Sequence, residues 1–244
     1  MDRPADIPPF EIYGGPHIAA IVATFGVAAI LIFVGRKFPE SRLLRMVELG
    51  LAGLLLAAFP LHVLAHKAAG SLDLHTGLPL HLCNVSAVVG AWALWSKHRA
   101  SAYLLYFWGI LGAIQGLLTP ALLAGFPSPI FLVFFALHGG LIIAALHLAY
   151  GRAIWPTLNS LRHALGWILV YLAIVLPINC GLMTNYGFVR HKPPTGSLLD
   201  ALGPWPYYII GIFVCSAIGF AILAIPFPIL RALSKRRDKA KLSD

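Results

Sequence analysis

Long apolar stretches with almost no charge constrain the fold of this chain more than any other feature of its sequence. A transmembrane helix needs about 20 apolar residues to cross roughly 30 Å of hydrocarbon, whereas a membrane strand needs about 10 residues of alternating polarity. The stretches are too long and too uniform for strands. The sequence therefore predicts an all-α polytopic membrane protein, a bundle of seven transmembrane helices over residues 17–34, 43–65, 78–95, 102–118, 128–150, 161–183 and 205–230.

The charged residues are few and lie mainly between these spans. Only 11% of the 244 residues are charged, against roughly 25% in soluble domains. The net charge of +9 does not predict a nucleic-acid partner, because the basic residues fall in the connections and the tail. The three cysteines, Cys83, Cys180 and Cys215, are too far apart to indicate a disulfide framework.

The distribution of Lys and Arg predicts the orientation in the membrane. Fourteen of these residues fall on one side of the predicted spans and four on the other. The positive-inside rule assigns the basic side to the cytoplasm. We expect an outer segment at residues 1–16, a membrane domain at 17–230 and a basic cytoplasmic tail at 231–244, in a multi-pass protein of the cell membrane.

Polar side chains concentrate towards the outer ends of the spans. Polar groups inside a membrane are costly and mark functional sites by default. The inner half of the spans has fewer polar side chains. Chief among them is Glu48, for which we expect a structural ion pair with Arg45 or His163. The outer polar side chains are His62, His66, His81, Cys83, Asn84, Gln115, His138, Asn179 and Asn185.

Cys83 and His138 form the candidate reactive pair. A thiol buried in apolar surroundings is inert unless a base can take its proton, and an imidazole can serve as that base. With Pro79 in the first turn of span three, Cys83 lies about 8 Å deep, and His138 about 10 Å deep in span five. We therefore expect the sulfur within roughly 3–4 Å of an imidazole nitrogen. His81 is two residues from Cys83 and does not share its helix face.

Three segments resemble the YwaF-like family of integral membrane proteins: LPLHLCN, ALHGG and TNYGFVRHKPPTGSLLDALGPWPYY, the last at residues 184–208. The resemblance covers about residues 40 to 225. A eukaryotic branch of that family is described as phospholipid acyltransferases that use a cysteine and a histidine within the membrane. The resemblance implies that Cys83, in PLHLC, and His138, in ALHGG, are the corresponding residues.

The predicted function is acyl transfer or acyl hydrolysis on a membrane phospholipid or lysophospholipid at the outer leaflet, through a cysteine thioester and without a metal or other cofactor. His81, Gln115 and Asn179 are candidate donors to the developing oxyanion, and Asn84 and Asn185 further substrate contacts. Arg190 and Lys192 are candidates to hold a lipid phosphate. We also predict that loop 184–204 acts as a lid or as a platform for the lipid headgroup.

Two other classes of function remain open from the sequence. His62 and His66 lie four residues apart on one helix face, near His81 and Cys83, and such side chains suit zinc or copper. A transporter or lipid carrier without chemistry is the other class, although the near absence of carboxylates in the spans disfavours proton-coupled transport. The metal content of the purified protein would distinguish a metal site from acyl chemistry. A transport or carrier function would survive the loss of Cys83, whereas catalysis would not.

Overall fold

The computed structural model describes residues 8–193 and 198–241 as an all-helical chain with a single isolated bridge between Pro9 and Ala124. Short 3₁₀ turns at Tyr186–Phe188 and Leu198–Leu202 lie between the sixth and seventh helices. The helices are α1 (Gly15–Lys37), α2 (Arg42–Ala68), α3 (Leu82–Ser96), α4 (Arg99–Leu118), α5 (Pro129–Leu146, continued by a π-turn at His147–Gly151), α6 (Leu158–Leu182), α7 (Tyr207–Ala224) and α8 (Pro226–Lys241).

Local sequence explains several helix starts. Ser41 and Ser128 each accept a backbone N–H of the following helix with their side chains, and Pro129 occupies the first turn of α5, where its missing N–H costs little. Thr157 and Ser160 form a reciprocal capping box at the start of α6. These side chains satisfy backbone donors that would otherwise be unpaired at the helix ends.

Helix α5 forms the centre of the bundle and packs against α1, α2, α3 and α4. Its sequence is apolar around its whole circumference, as expected for a helix buried on all sides. Gly139 and Gly140 allow close approach, because a Cβ there would meet Thr24 of α1 at 2.6 Å and Leu55 of α2 at 3.2 Å. The buried centre therefore depends on small residues where the helices cross.

The bundle has two ends of different character. We call the one that carries residues 8–14 the histidine end: there Phe10 N donates to Leu123 O at 2.9 Å, and Leu78 N donates to the Tyr186 hydroxyl at 3.1 Å. The opposite one is the glutamate end, where Arg231 of α8 donates to Trp155 O at 2.9 Å. The N-terminal segment and α8 thus lie at opposite ends.

The glutamate end is held by a carboxylate with four basic partners. Glu48 is fully buried, and His147 Nε2 and Arg152 Nε lie 2.7 and 2.6 Å from its Oε1. Lys97 Nζ and Arg45 Nη1 lie 2.5 and 3.4 Å from Oε2. The predicted tie to Arg45 is confirmed. The partners from α3 and α5 were not expected, and they join three helices at one point.

His163 is not part of that cluster. Its side chain is exposed near the start of α6, whereas the described partners of Glu48 come from α2, the end of α3 and the end of α5. Only α4 and α7 among the helices make extensive contacts with α6, so α6 lies to one side of the α2–α3–α5 junction. Of the two partners expected for Glu48, Arg45 is confirmed, and His163 is not among its described partners.

The described chain has six helices long and apolar enough to cross a membrane, and it is a multi-pass membrane protein. The remaining apolar helix, α3, has 15 residues and is about 22 Å long at 1.5 Å per residue. Its first residues adjoin the histidine end, and its last residues accept hydrogen bonds from Arg45 at the glutamate end. Seven spans and the outward N-terminus remain predictions.

The start of α3 differs from the prediction. The helix begins at Leu82 rather than Leu78, and Pro79 lies before it. Residues 78–81 are non-helical and find partners elsewhere: Leu78 N donates to the Tyr186 hydroxyl, and Leu80 O accepts from the Tyr171 hydroxyl at 2.9 Å. These tertiary bonds satisfy the backbone without a helical turn, so α3 starts four residues late.

Candidate active site

His81 occupies the N-cap position of α3, Leu82 is the first residue of the helix, and Cys83 is the second. Its side chain is half-buried and packs against the apolar core. Cys180 and Cys215 are exposed on α6 and α7. Cys83 is therefore the cysteine that the fold places among other helices, at the histidine end of α3.

His138 is buried in the middle of α5 and is held in one tautomer. Its Nδ1 lies 2.8 Å from Phe134 O. A carbonyl oxygen only accepts, so Nδ1 carries the proton and the Nε2 of the neutral imidazole is left with its lone pair. The ring also stacks on Phe134, with centroids 4.2 Å apart. The fold thus presents an imidazole whose Nε2 can accept a proton.

One face of α4 contacts both the start of α3 and His138. A Cβ on Gly112 would lie 4.0 Å from Leu82, the neighbour of Cys83, and a Cβ on Gly116 would lie 2.3 Å from His138 Cδ2. These glycines are four residues apart, which is about 6 Å along one side of a helix. Helices α3 and α5 also contact each other directly.

The predicted direct bond between the two reactive groups is absent from the described residues. No hydrogen bond joins Cys83 Sγ to either nitrogen of His138. The sequence estimate of depth also changes, because Cys83 belongs to the first turn of its helix and His138 to the third turn of α5. Leu82 and His138 lie against α4 about one helical turn apart, at Gly112 and Gly116 respectively.

Tyr171 links α6 to this region. Its hydroxyl donates to Leu80 O at 2.9 Å, three residues before Cys83. A Cβ on Gly187 would approach the same hydroxyl to 2.4 Å, and Gly187 adopts a positive φ of 68°. Only glycine therefore fits where the loop after α6 lies on Tyr171.

His81 connects the start of α3 to that loop. Its Nδ1 accepts the Gly187 N–H at 3.3 Å, and its ring meets the edge of Tyr186 at 5.1 Å. The neutral imidazole therefore carries its proton on Nε2, which makes that nitrogen a donor. His81 and His138 thus have opposite roles at Nε2, a donor in His81 and an acceptor in His138.

The loop after α6 is packed over the histidine end. Tyr186 is fully buried and donates its hydroxyl to Leu74 O, and Tyr208 donates to Phe188 O at 2.8 Å. Burial raises the pKa of Tyr186, so its phenol remains a protonated donor. Residues 184–193 are a packed segment, residues 194–197 lie outside the described chain, and a lid or headgroup platform at 184–204 stays a prediction.

Asn179 and Asn185 hold this loop. Asn179 is fully buried, donates to Tyr186 O at 2.9 Å and accepts Tyr186 N at 2.8 Å. It also accepts the Thr184 hydroxyl at 2.9 Å. Asn185 donates to His191 O at 2.8 Å and accepts His191 N at 3.0 Å. Both amides thus bond to the backbone or hydroxyl groups of the loop itself.

The remaining predicted contact residues are less enclosed. Gln115 is exposed on α4, and Asn84 is half-buried on α3. Arg190 is half-buried, with its backbone N–H on Asn185 Oδ1 at 3.1 Å. Lys192 Nζ donates to Asp200 O at 3.3 Å and lies 5.8 Å from the centre of the Tyr208 ring. No described hydrogen bond joins Gln115 to His138.

The histidine pair of α2 is adjacent but is not part of a metal-binding group in the described residues. The rings of His62 and His66 are 4.3 Å apart, and His66 Nδ1 bonds to Ser71 Oγ at 2.9 Å. No group of three or more His, Cys, Asp or Glu residues within 8–193 and 198–241 is arranged to hold a metal ion.

Comparison with known protein families now adds to this geometry. The model of the TMEM164 family matches residues 12–226, which covers every helix from α1 to α7. The chain belongs to the TMEM164 family. No curated protein and no solved structure matches it. The matched range contains the whole candidate site of this TMEM164-family chain, from His62 to Lys192.

Sequence reasoning missed three residues of the site. Gly112 and Gly116 have the spacing of small residues at a helix crossing, which is a signal for close packing although not for its partner. Tyr171 lies in the middle of an apolar span, away from the span ends where interfacial tyrosines are usual. That position was the available sign of an internal hydrogen bond.

Proposed function

We propose that this TMEM164-family protein is a membrane phospholipid acyltransferase or acyl hydrolase, with Cys83 as nucleophile and His138 as general base. The observation that carries the proposal is the bond from His138 Nδ1 to Phe134 O, which leaves Nε2 unprotonated on a helix that contacts α3. The resemblance to the YwaF-like family and its cysteine and histidine acyltransferases supports the same pair.

The first half of the reaction transfers an acyl group to the enzyme. His138 Nε2 takes the proton of the Cys83 thiol, and the thiolate attacks the ester carbonyl of a phospholipid. The carbon–oxygen bond to the glycerol then breaks, and His138 returns its proton to the departing alkoxide. The products are a lysophospholipid and a Cys83 thioester.

The second half releases the acyl chain. A lysophospholipid hydroxyl, or a water molecule in a hydrolase, loses its proton to His138 as its oxygen attacks the thioester carbonyl. The carbon–sulfur bond breaks, and the proton passes from His138 to the Cys83 sulfur. The reaction neither consumes nor produces electrons, so no redox partner is required.

His81 is the best supported donor to the oxyanion of both tetrahedral intermediates. Its Nδ1 accepts from Gly187 N, so the neutral ring carries its proton on Nε2 and can act as a donor there. An oriented donor where charge develops contributes more to the rate than one that must reorganise. Asn179 has a weaker claim, because its amide already makes three bonds to the loop.

Substrate entry and binding are assigned to the loop after α6. Arg190 and Lys192 are basic side chains on this packed segment, and they would contact the lipid phosphate. With seven spans and a cytoplasmic glutamate end, the histidine end faces the outer leaflet. The reacting ester would then lie beneath residues 184–193, near the start of α3.

Trapping of the acyl-enzyme tests this function. Purified protein incubated with phospholipid should gain the mass of one acyl group, and hydroxylamine should remove it. Cys83→Ala should abolish the adduct, whereas Cys180→Ala and Cys215→Ala should retain it, since those cysteines are exposed elsewhere. An adduct that survives in folded Cys83→Ala would contradict the proposal, and so would a folded wild type that never forms one with any phospholipid class tested.

A further inference from the structure

A groove between α2 and α3 lies outside the candidate active site. It encloses about 340 Å³ and is lined by apolar side chains of both helices. Leu49, Gly53 and Leu56 line it from α2, and Val88, Trp92 and Trp95 from α3. The two tryptophan rings meet edge to face at 5.0 Å. Its leucine, valine and tryptophan side chains are exposed on the outer surface of the bundle, and the groove runs towards the glutamate end.

Cationic side chains close the glutamate end of this groove. Arg45 lies one helical turn before Leu49, and its Nη2 donates to the carbonyl of Trp95 at 2.6 Å. Lys97 follows α3 directly, with its Nζ 2.9 Å from Leu94 O. Both side chains retain about a third of their exposure, at 37% and 30%. They therefore stand between the groove and the aqueous surface.

These cations exceed the negative charge that they surround. Arg45, Lys97 and Arg152 share the single carboxylate of Glu48, which leaves a net positive charge at this point. Arg45 has five N–H donors and uses three in the described bonds, and Lys97 uses two of its three. Donors thus remain for a further anionic oxygen.

We propose that the α2–α3 groove is a binding site for an anionic phospholipid of the leaflet at the glutamate end. One acyl chain lies along the groove against Trp92 and Leu56, and the headgroup phosphate accepts hydrogen bonds from Arg45 and Lys97. An apolar groove with cations at its membrane-surface end matches the two parts of such a lipid, and basic sites between membrane helices bind anionic headgroups.

The site is separate from acyl chemistry. It lies at the opposite end of α3 from Cys83, and its anchors hold Glu48 rather than the histidines. A lipid there would join α2 to α3 and stabilise the cluster that fixes their ends. The proposal does not depend on the proposed function, and Cys83→Ala should bind the anionic lipid as the wild type does.

Native mass spectrometry of delipidated protein tests this proposal with two lipids that share the same chains, dioleoyl phosphatidylglycerol and dioleoyl phosphatidylcholine. Each cation that contacts the phosphate of an anionic lipid contributes about fivefold in affinity. The wild type should prefer phosphatidylglycerol, and Lys97→Gln should reduce that preference about fivefold. Lys37→Gln, at the same end but away from the groove, is the matched control.

Filling the groove is the second test and leaves the buried charges intact. A Cβ at Gly53 meets no atom within 4 Å, so Gly53→Leu should fold and occupy the space of the acyl chain. The Gly53→Leu substitution should lower the affinity for both lipids several-fold. Gly50→Leu is the control, because Gly50 is equally open on α2 and does not line the groove. Equal lipid affinity of the two glycine variants, or a change in oligomeric state in place of lipid binding, would overturn the proposal.

Discussion

The two ends of the bundle bury polar groups in opposite ways. At the glutamate end, both oxygens of Glu48 have basic partners from α2, from α5 and from the residue after α3. At the histidine end, His138 Nε2 makes no described hydrogen bond, and no described hydrogen bond joins the Cys83 thiol to another side chain. Two buried side-chain atoms have no hydrogen-bond partner in the described residues, Ser86 Oγ one turn further along α3 and Trp155 Nε1 at the glutamate end.

This difference distinguishes support from reactivity. A fully satisfied buried network rigidifies a fold, because every desolvated group regains its bonds. A base and a nucleophile must instead keep a free lone pair and a free thiol until the substrate arrives. We infer that the glutamate end holds the helices in register, so that the histidine end can keep its reactive groups unpaired.

Removal of the Glu48 charge should have the largest effect on stability. In Glu48→Gln, Arg152, Lys97 and His147 remain buried or half-buried without their carboxylate. Breaking a buried ion pair from one side costs about 3–5 kcal/mol of unfolding free energy. Thermal unfolding in one detergent measures this cost, and the exposed Glu40→Gln should stay within about 0.5 kcal/mol of the wild type. A Glu48→Gln protein as stable as Glu40→Gln would contradict the account of this end.

Gly116→Ala should have a smaller effect on stability and act on the histidine end. The new methyl group would lie 2.3 Å from His138 Cδ2 and 2.6 Å from its Nε2, so the imidazole must move. Overpacking of this kind costs about 1–3 kcal/mol. Acyl-enzyme formation by the folded fraction should slow as well, because the base is displaced.

Gly166→Ala is the matched control for that variant. Gly166 lies on α6 with no atom within 4 Å of a new Cβ, so the change should gain up to about 1 kcal/mol in helix propensity. If Gly116→Ala and Gly166→Ala form the acyl-enzyme at the same rate, the imidazole is not held against α4 as described.

The sequence predicted the helices better than it predicted the contacts between them. Apolar stretches located α1 to α7, because burial in a membrane leaves a strong compositional signal, although the span predicted at 205–230 divides into α7 and the start of α8. The start of α3 was placed at Leu78 because nothing local shows that Tyr171 and Tyr186, about 90 and 110 residues away, bind the backbone of residues 78–81. Long-range hydrogen bonds of this kind leave no periodic trace in the sequence.

The candidate site was predictable in its residue types and not in its bonds. Cys83 and His138 stood out because a thiol and an imidazole at similar predicted depth can act as nucleophile and base, and because both lie in segments that carry the family resemblance. The tautomer of His138 depends on Phe134, its own neighbour one turn back, and could not be assigned without coordinates. The sequence suggested Asn179 as a donor to the oxyanion, but its amide hydrogen-bonds to the backbone of Tyr186 in the loop after α6.

The rate of acyl-enzyme formation in His138→Gln tests the central claim most directly. Loss of a general base lowers a rate by about 10²–10⁴-fold, and the substitution removes no partner of Glu48, so the melting temperature should stay near that of the wild type. The account predicts a slow but stable variant, with thioester formation partly restored by added imidazole or by high pH. A His138→Gln protein that is acylated at Cys83 as fast as the wild type would contradict it.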